Sequence, residues 1–83
     1  MRLLRETAVV PVLVDGVPER ILLQGRLYRV TDEPTPLVEL LYGLTHPVNL
    51  TGWRFQGTDG SGASRIFDII LRDGTWRLAH VYE

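Results

Sequence analysis

Nucleophilic catalysis needs a hydroxyl or thiol held beside a base that a third group orients. The chain has no cysteine, which leaves Ser61 and Ser64 as nucleophiles and His46 and His80 as bases. Nothing in their spacing or surroundings forms a motif with a mechanism, so no catalytic residue is assigned and the chain is read as a non-enzyme. Two histidines far apart, without cysteine or a clustered pair of carboxylates, make no metal-ligand set. No metal or cofactor is expected. The glycine-rich stretch Gly57 to Ser64, GTDGSGAS, lacks both the Gly-Lys-Ser/Thr ending of a phosphate-binding loop and a following helix. It is read as a hairpin loop.

Binding is the remaining class of chemistry. All nine basic residues are arginine. Guanidinium groups make forked contacts to phosphates and carboxylates that ammonium groups cannot, although a GC-rich genome produces the same bias. Arg26, Arg29, Arg54, Arg72 and Arg77 fall on expected strands, with Tyr28, Trp53 and Trp76 among them. Aromatic and basic residues together on a sheet face are the pattern of single-stranded nucleic-acid binding, which is the alternative reading. The same rings are also what a small core requires, and the arginines are balanced by Glu19, Glu33, Asp68 and Asp73 at a net charge of −1. The preferred reading is a protein partner or a homodimer. Its candidate contact residues are Val9 and Pro11 on the first strand, and Ile66, Ile70 and Val81 on the last hairpin.

These residues need strands to position them. The last segment, RIFDIILRDGTWRLAHVYE, joins Arg65–Arg72 to Thr75–Tyr82 through Asp73-Gly74. That dipeptide tolerates the positive φ that a tight two-residue turn needs at both positions. Ala8 to Val14 is a strand whose Pro11 belongs on an edge. Asp15-Gly16 leads to Glu19–Leu23, and Gln24-Gly25 leads to Arg26–Thr31, which completes a meander. Tyr28 and Val30 face the core while Leu27 and Arg29 face outward. Thr35 as N-cap, Pro36 at the first helical position and Gly43 as a stop predict a helix over Pro36 to Tyr42, with Leu37, Leu40, Leu41 and Leu44 on one face. Thr45 to Thr51 is a loop, and Trp53 to Gln56 a fourth strand. Phe67, Ile69 and Leu71 on the fifth strand, and Trp76, Leu78, His80 and Tyr82 on the sixth, share single faces.

Chain length, at 83 residues, allows one domain with a thin core. Apolar residues make up 45% and charged residues 23%, ordinary values for a globular domain. No apolar run approaches the roughly 20 residues that cross a bilayer. The opening MRLLRETAVVPVLVDG is broken by Arg5 and Glu6 and offers no small-residue cleavage site. With the lack of cysteine, a cytoplasmic location is expected.

The strand QGRLYRVT and the ending FDIILRDGTWRLAHVYE together resemble a small actinobacterial domain of unknown function. That domain is similar to the C-terminal segment of the inactive, polymerase-like subunit of bacterial mutagenesis cassettes. Gly25, Arg26, Tyr28 and Val30 match its first element, and Phe67, Ile69, Trp76, Leu78, Val81 and Tyr82 its final hairpin, with Glu83 for the usual Asp. Leu37 to Leu50 stands where the family has a tryptophan-rich middle. The resemblance implies a binding or adaptor module associated with DNA-damage tolerance or repair.

The expected fold is therefore mainly β. About six antiparallel strands form two three-stranded meanders, curled into a small sheet or open barrel, with one short helix between strands three and four. An α+β sandwich with the helix on one sheet face is the structural alternative.

Overall fold

The computed structural model describes residues 7–37 and 51–82. They form eight antiparallel strands: β1 (Thr7–Ala8), β2 (Val10–Val14), β3 (Val17–Leu23), β4 (Arg26–Val30), β5 (Thr35–Pro36), β6 (Thr51–Thr58), β7 (Ser64–Arg72) and β8 (Thr75–Tyr82). One sheet runs in the order β1-β8-β7-β6-β4-β3-β2, with β5 paired to β6 off this path. The sheet curls into a half-barrel. Its two ends, β1 and β2, are separated in the chain by Val9 alone. The first extended segment thus pairs with β8 through Thr7↔Leu78 and with β3 through Val10↔Leu22.

Three turns fold the strands back, and all are of one kind. Asp15-Gly16, Gln24-Gly25 and Asp73-Gly74 have φ of 52°/81°, 51°/80° and 52°/77°. Positive φ at both positions matches the right-handed twist of the flanking strands, so the register on either side is fixed.

The core fills the concave face. Ile21, Phe55, Phe67 and Ile69 are almost wholly buried, joined by Val9, Leu23, Tyr28 and Leu78, with Val30, Trp53, Trp76 and Val81 packed at the margin. The Tyr28 and Phe67 rings meet edge to face, 4.9 Å between centroids. Gly57 permits this, because a Cβ there would stand 2.7 Å from the Phe67 ring.

Several expectations are corrected. There are eight strands rather than about six, and the meanders β2-β3-β4 and β6-β7-β8 are joined edge to edge through β4 and β6 into one sheet. No helix stands among the described elements. Thr35 and Pro36, expected to open a helix, are instead the strand β5, opposite Arg54 and Trp53. The physical reason lies in the edge of β6. β4 pairs with β6 only at Arg29↔Thr58 and Val30↔Gly57, which leaves the rest of that edge to the following chain. Thr31 N–H donates to the Gln56 carbonyl at 2.9 Å, the Asp32 carboxylate accepts from Gln56 N–H at 2.7 Å, and β5 continues the line. Residues 38–42 of the expected helix, the 45–50 loop and His46 lie outside the described residues. Leu71, expected in the core, is exposed near the last turn.

Candidate functional site

The first polar constellation lies on the convex face, and a bulge creates it. Asp68 pairs with His80 but Ile69 pairs with Leu78, so Ala79 is an extra residue in β8. Strict alternation would put Trp76, Leu78, His80 and Tyr82 together. The bulge reverses the alternation past Ala79, so Val81 turns to the core while His80 and Tyr82 turn outward. There they meet Arg54 and Asp68, which sit opposite each other on β6 and β7.

The result is a closed polar clasp. Arg54 Nε donates to Asp68 Oδ1 at 2.7 Å and its Nη2 to Oδ2 at 3.0 Å. The Tyr82 hydroxyl donates to Asp68 Oδ2 at 2.9 Å and accepts from Arg54 Nη2 at 2.6 Å. The guanidinium also lies 4.8 Å from the Tyr82 ring centre, and the His80 ring packs on Tyr82 at 4.0 Å. Asp68, the buried charged residue of the described set, thus has its charge compensated. The hydrogen bond to Asp68 raises Arg54 above the ordinary arginine value, against a smaller opposing effect of burial. Burial, then the bond to Asp68, raises the Tyr82 phenol. The clasp ties β6, β7 and β8 together through the side chains of Arg54, Asp68 and Tyr82.

A second constellation organises the β6–β7 loop. The Asp59 carboxylate accepts from Ser61 Oγ at 2.6 Å, Ser61 N–H at 2.9 Å, Ala63 N–H at 3.1 Å and Arg26 Nη1 at 3.2 Å. These donors, the Ser61 hydroxyl foremost, hold Asp59 below the usual carboxylate range. The Ser64 hydroxyl is bonded to Thr58 Oγ1 at 2.7 Å. Ser64 stands four residues along β7 from Asp68, the residue that faces His80. That is about 13 Å of extended chain, which keeps the Ser64 hydroxyl away from the His80 ring.

The five sequence-predicted arginines do not converge. Arg54 is held by Asp68, and Arg26 lies on the concave parity with its guanidinium tied to Asp59. Arg29 and Arg77 fall on the convex parity of β4 and β8, with β6 and β7 between them, and Arg72 closes β7 next to the last turn. The predicted partner residues also separate. Val9 is buried in the core, Val81 packs against it from the concave side, and Pro11 is half-buried. Ile66 and Ile70 share the convex parity of β7. Ile70 is buried, and a Cβ at the neighbouring Gly52 would touch both Ile70 and Leu37.

Sequence reasoning missed a surface on β2, β3 and β4. Register sets Val10 opposite Leu22 and Leu22 opposite Leu27, with the next convex row formed by Val12, Arg20 and Arg29. Val10, Val12, Leu22 and Leu27 are 61%, 48%, 43% and 49% exposed, which makes this a contiguous patch rather than scattered single residues. The signal was present in the sequence. A two-residue turn at Gln24-Gly25 obliges Leu22 to face Leu27, and alternation puts both opposite the buried Ile21 and Tyr28.

Among the described residues no group of three or more His, Cys, Asp or Glu side chains could hold a metal ion, and no helix is long and apolar enough to cross a membrane. Fold and site together define a small antiparallel β half-barrel with a polar clasp and an aliphatic patch on its convex face. No family model matches the chain, and neither a curated protein nor a solved structure matches it.

Proposed function

We propose that this chain is a non-catalytic interaction module that binds a protein through the convex face of β2, β3 and β4. The observation that carries the reading is the exposed aliphatic row Val10–Leu22–Leu27, which runs across three strands on a domain with little core to spare. Nucleic-acid binding by this face has less support, because the patch is aliphatic and offers no ring on which a base could stack. A partner in a DNA-damage-tolerance or repair assembly is the setting that the resemblance in the QGRLYRVT strand and the final hairpin supports.

A photo-crosslinking amino acid at Val12 tests the reading in cells, with the exposed Thr75 at the far turn as the control position. The expected result is a discrete protein adduct from position 12 that position 75 does not give. Adducts with nucleic acid alone, or identical adducts from both positions, would overturn it.

A further inference from the structure

The convex patch has a second feature besides its exposure. Arg20 and Arg29 are directly opposite across β3 and β4, an arrangement in which like charges repel. The carboxylate near Arg20 is its own neighbour Glu19, at 3.6 Å with both side chains about half exposed, which contributes little. Among the described residues no carboxylate pairs with Arg29. Among the described residues the two arginines therefore stand opposite each other beside an aliphatic row, with the exposed Glu19 as the one carboxylate paired to either.

Resting on the interaction reading above, we propose that the occupant of this face is an acidic amphipathic helix of another protein. Its aliphatic stripe would lie on Val10, Leu22 and Leu27, and a flanking line of carboxylates on Arg20 and Arg29. The dimensions agree. Three strands place the ends of a row about 10 Å apart, close to two helical turns. Residues two apart on a strand separate the rows by about 7 Å, the distance from the centre of a helical stripe to its flank. Addition of a strand to the free edge of β2 is opposed by Pro11. Backbone N–H groups alternate in direction, and the Val9 N–H points away from β3 to the Trp76 carbonyl at 3.1 Å. The donor that Pro11 lacks therefore belongs to that same outer edge, so face docking is left as the mode. A second copy of the chain docked through this patch would bring the same arginine pair to the contact, whereas carboxylates on a partner relieve the repulsion and add forked hydrogen bonds.

The test uses the full chain labelled with nitrogen-15 and synthetic helical peptides of about 14 residues, near four turns. One peptide carries leucine and glutamate, one leucine and lysine, and one glutamate without leucine; a single-stranded oligonucleotide of similar length completes the set. The leucine–glutamate peptide is expected to bind and to shift the amides of Leu22, Leu27 and Arg29. The double substitution Arg20→Glu/Arg29→Glu should weaken it by at least about tenfold and transfer preference to the leucine–lysine peptide. That reversal is a gain of binding, so a merely unfolded variant cannot mimic it. Equal binding of both leucine peptides, equal binding without leucine, preference for the oligonucleotide, or no binding at all would each overturn the acidic-helix assignment. The broader reading fails separately, through loss of the protein adduct at Val12, and a self-adduct there would support that reading while overturning this one.

Discussion

Arg54 grips Asp68 with both arms of its guanidinium, at 2.7 and 3.0 Å, across the pair β6–β7 at the centre of the sheet. Asp68 is buried while the Arg54 side chain is 38% exposed, so the carboxylate has more to lose than the cation. Asp68→Asn is expected to destabilise the fold by about 1–3 kcal/mol, below the usual loss for a fully buried pair because water reaches Arg54. The double variant Arg54→Leu/Asp68→Leu should lose less than the single one. Urea denaturation of the three proteins checks the order, and a double variant weaker than Asp68→Asn would contradict it.

Tyr82 gives the clasp a pH dependence. Burial and the Asp68 bond raise its folded pKa above the unfolded value near about 10. A raised folded value means that the contribution is complete below the unfolded pKa and is lost as pH rises through the folded one. Ultraviolet titration of the tyrosines should show a late phase that Tyr82→Phe removes. A Tyr82 that ionises with the ordinary value would show that the phenol is not bonded to Asp68.

Gly57 and Gly60 form a matched pair for packing. A methyl group at Gly57 would meet the Phe67 ring at 2.7 Å and Tyr28 Cβ at 3.2 Å, whereas at Gly60 nothing lies within 4 Å. Gly57→Ala should cost about 1–3 kcal/mol, and Gly60→Ala should stay within about 0.5 kcal/mol of the parent. Thermal unfolding of both proteins measures the difference.

Ala79 tests the bulge. Deleting it leaves Leu78 opposite Ile69 and brings His80 next in line opposite Asp68, so the ladder becomes regular while His80 and Tyr82 stay on the convex face. The deleted protein should therefore keep the late tyrosine phase, and loss of the phase would contradict the register past Ala79. Ala79→Gly, which keeps the extra residue, should retain the phase.

The three two-residue turns were readable because Asp-Gly and Gln-Gly offer the positive φ that such turns demand. The faces of β4 and β7 followed from alternation, as the burial of Tyr28, Phe67 and Ile69 shows. The bulge was not readable, since Leu78-Ala79-His80-Val81 alternates as well in one register as in the other, and only the pairing with Asp68 and Ile69 selects between them. The strand at Thr35–Pro36 was hidden for a related reason. Local propensity favours a helix start, and the vacant edge of β6 that overrides it is a tertiary feature. The clasp was out of reach with the bulge. The patch of Leu22 and Leu27 was within reach, had the turn been used to derive register as well as direction.

The pairing of Thr7 with Leu78 sets an order of events during synthesis. The meander β2-β3-β4 can form as soon as it leaves the ribosome, since its contacts are local. The seam beside it must wait for β8, the last of the eight strands in chain order. Until then the outer edge of β7 has no neighbour, and a pause in translation over the final hairpin would prolong the interval in which nascent chains can stick to one another.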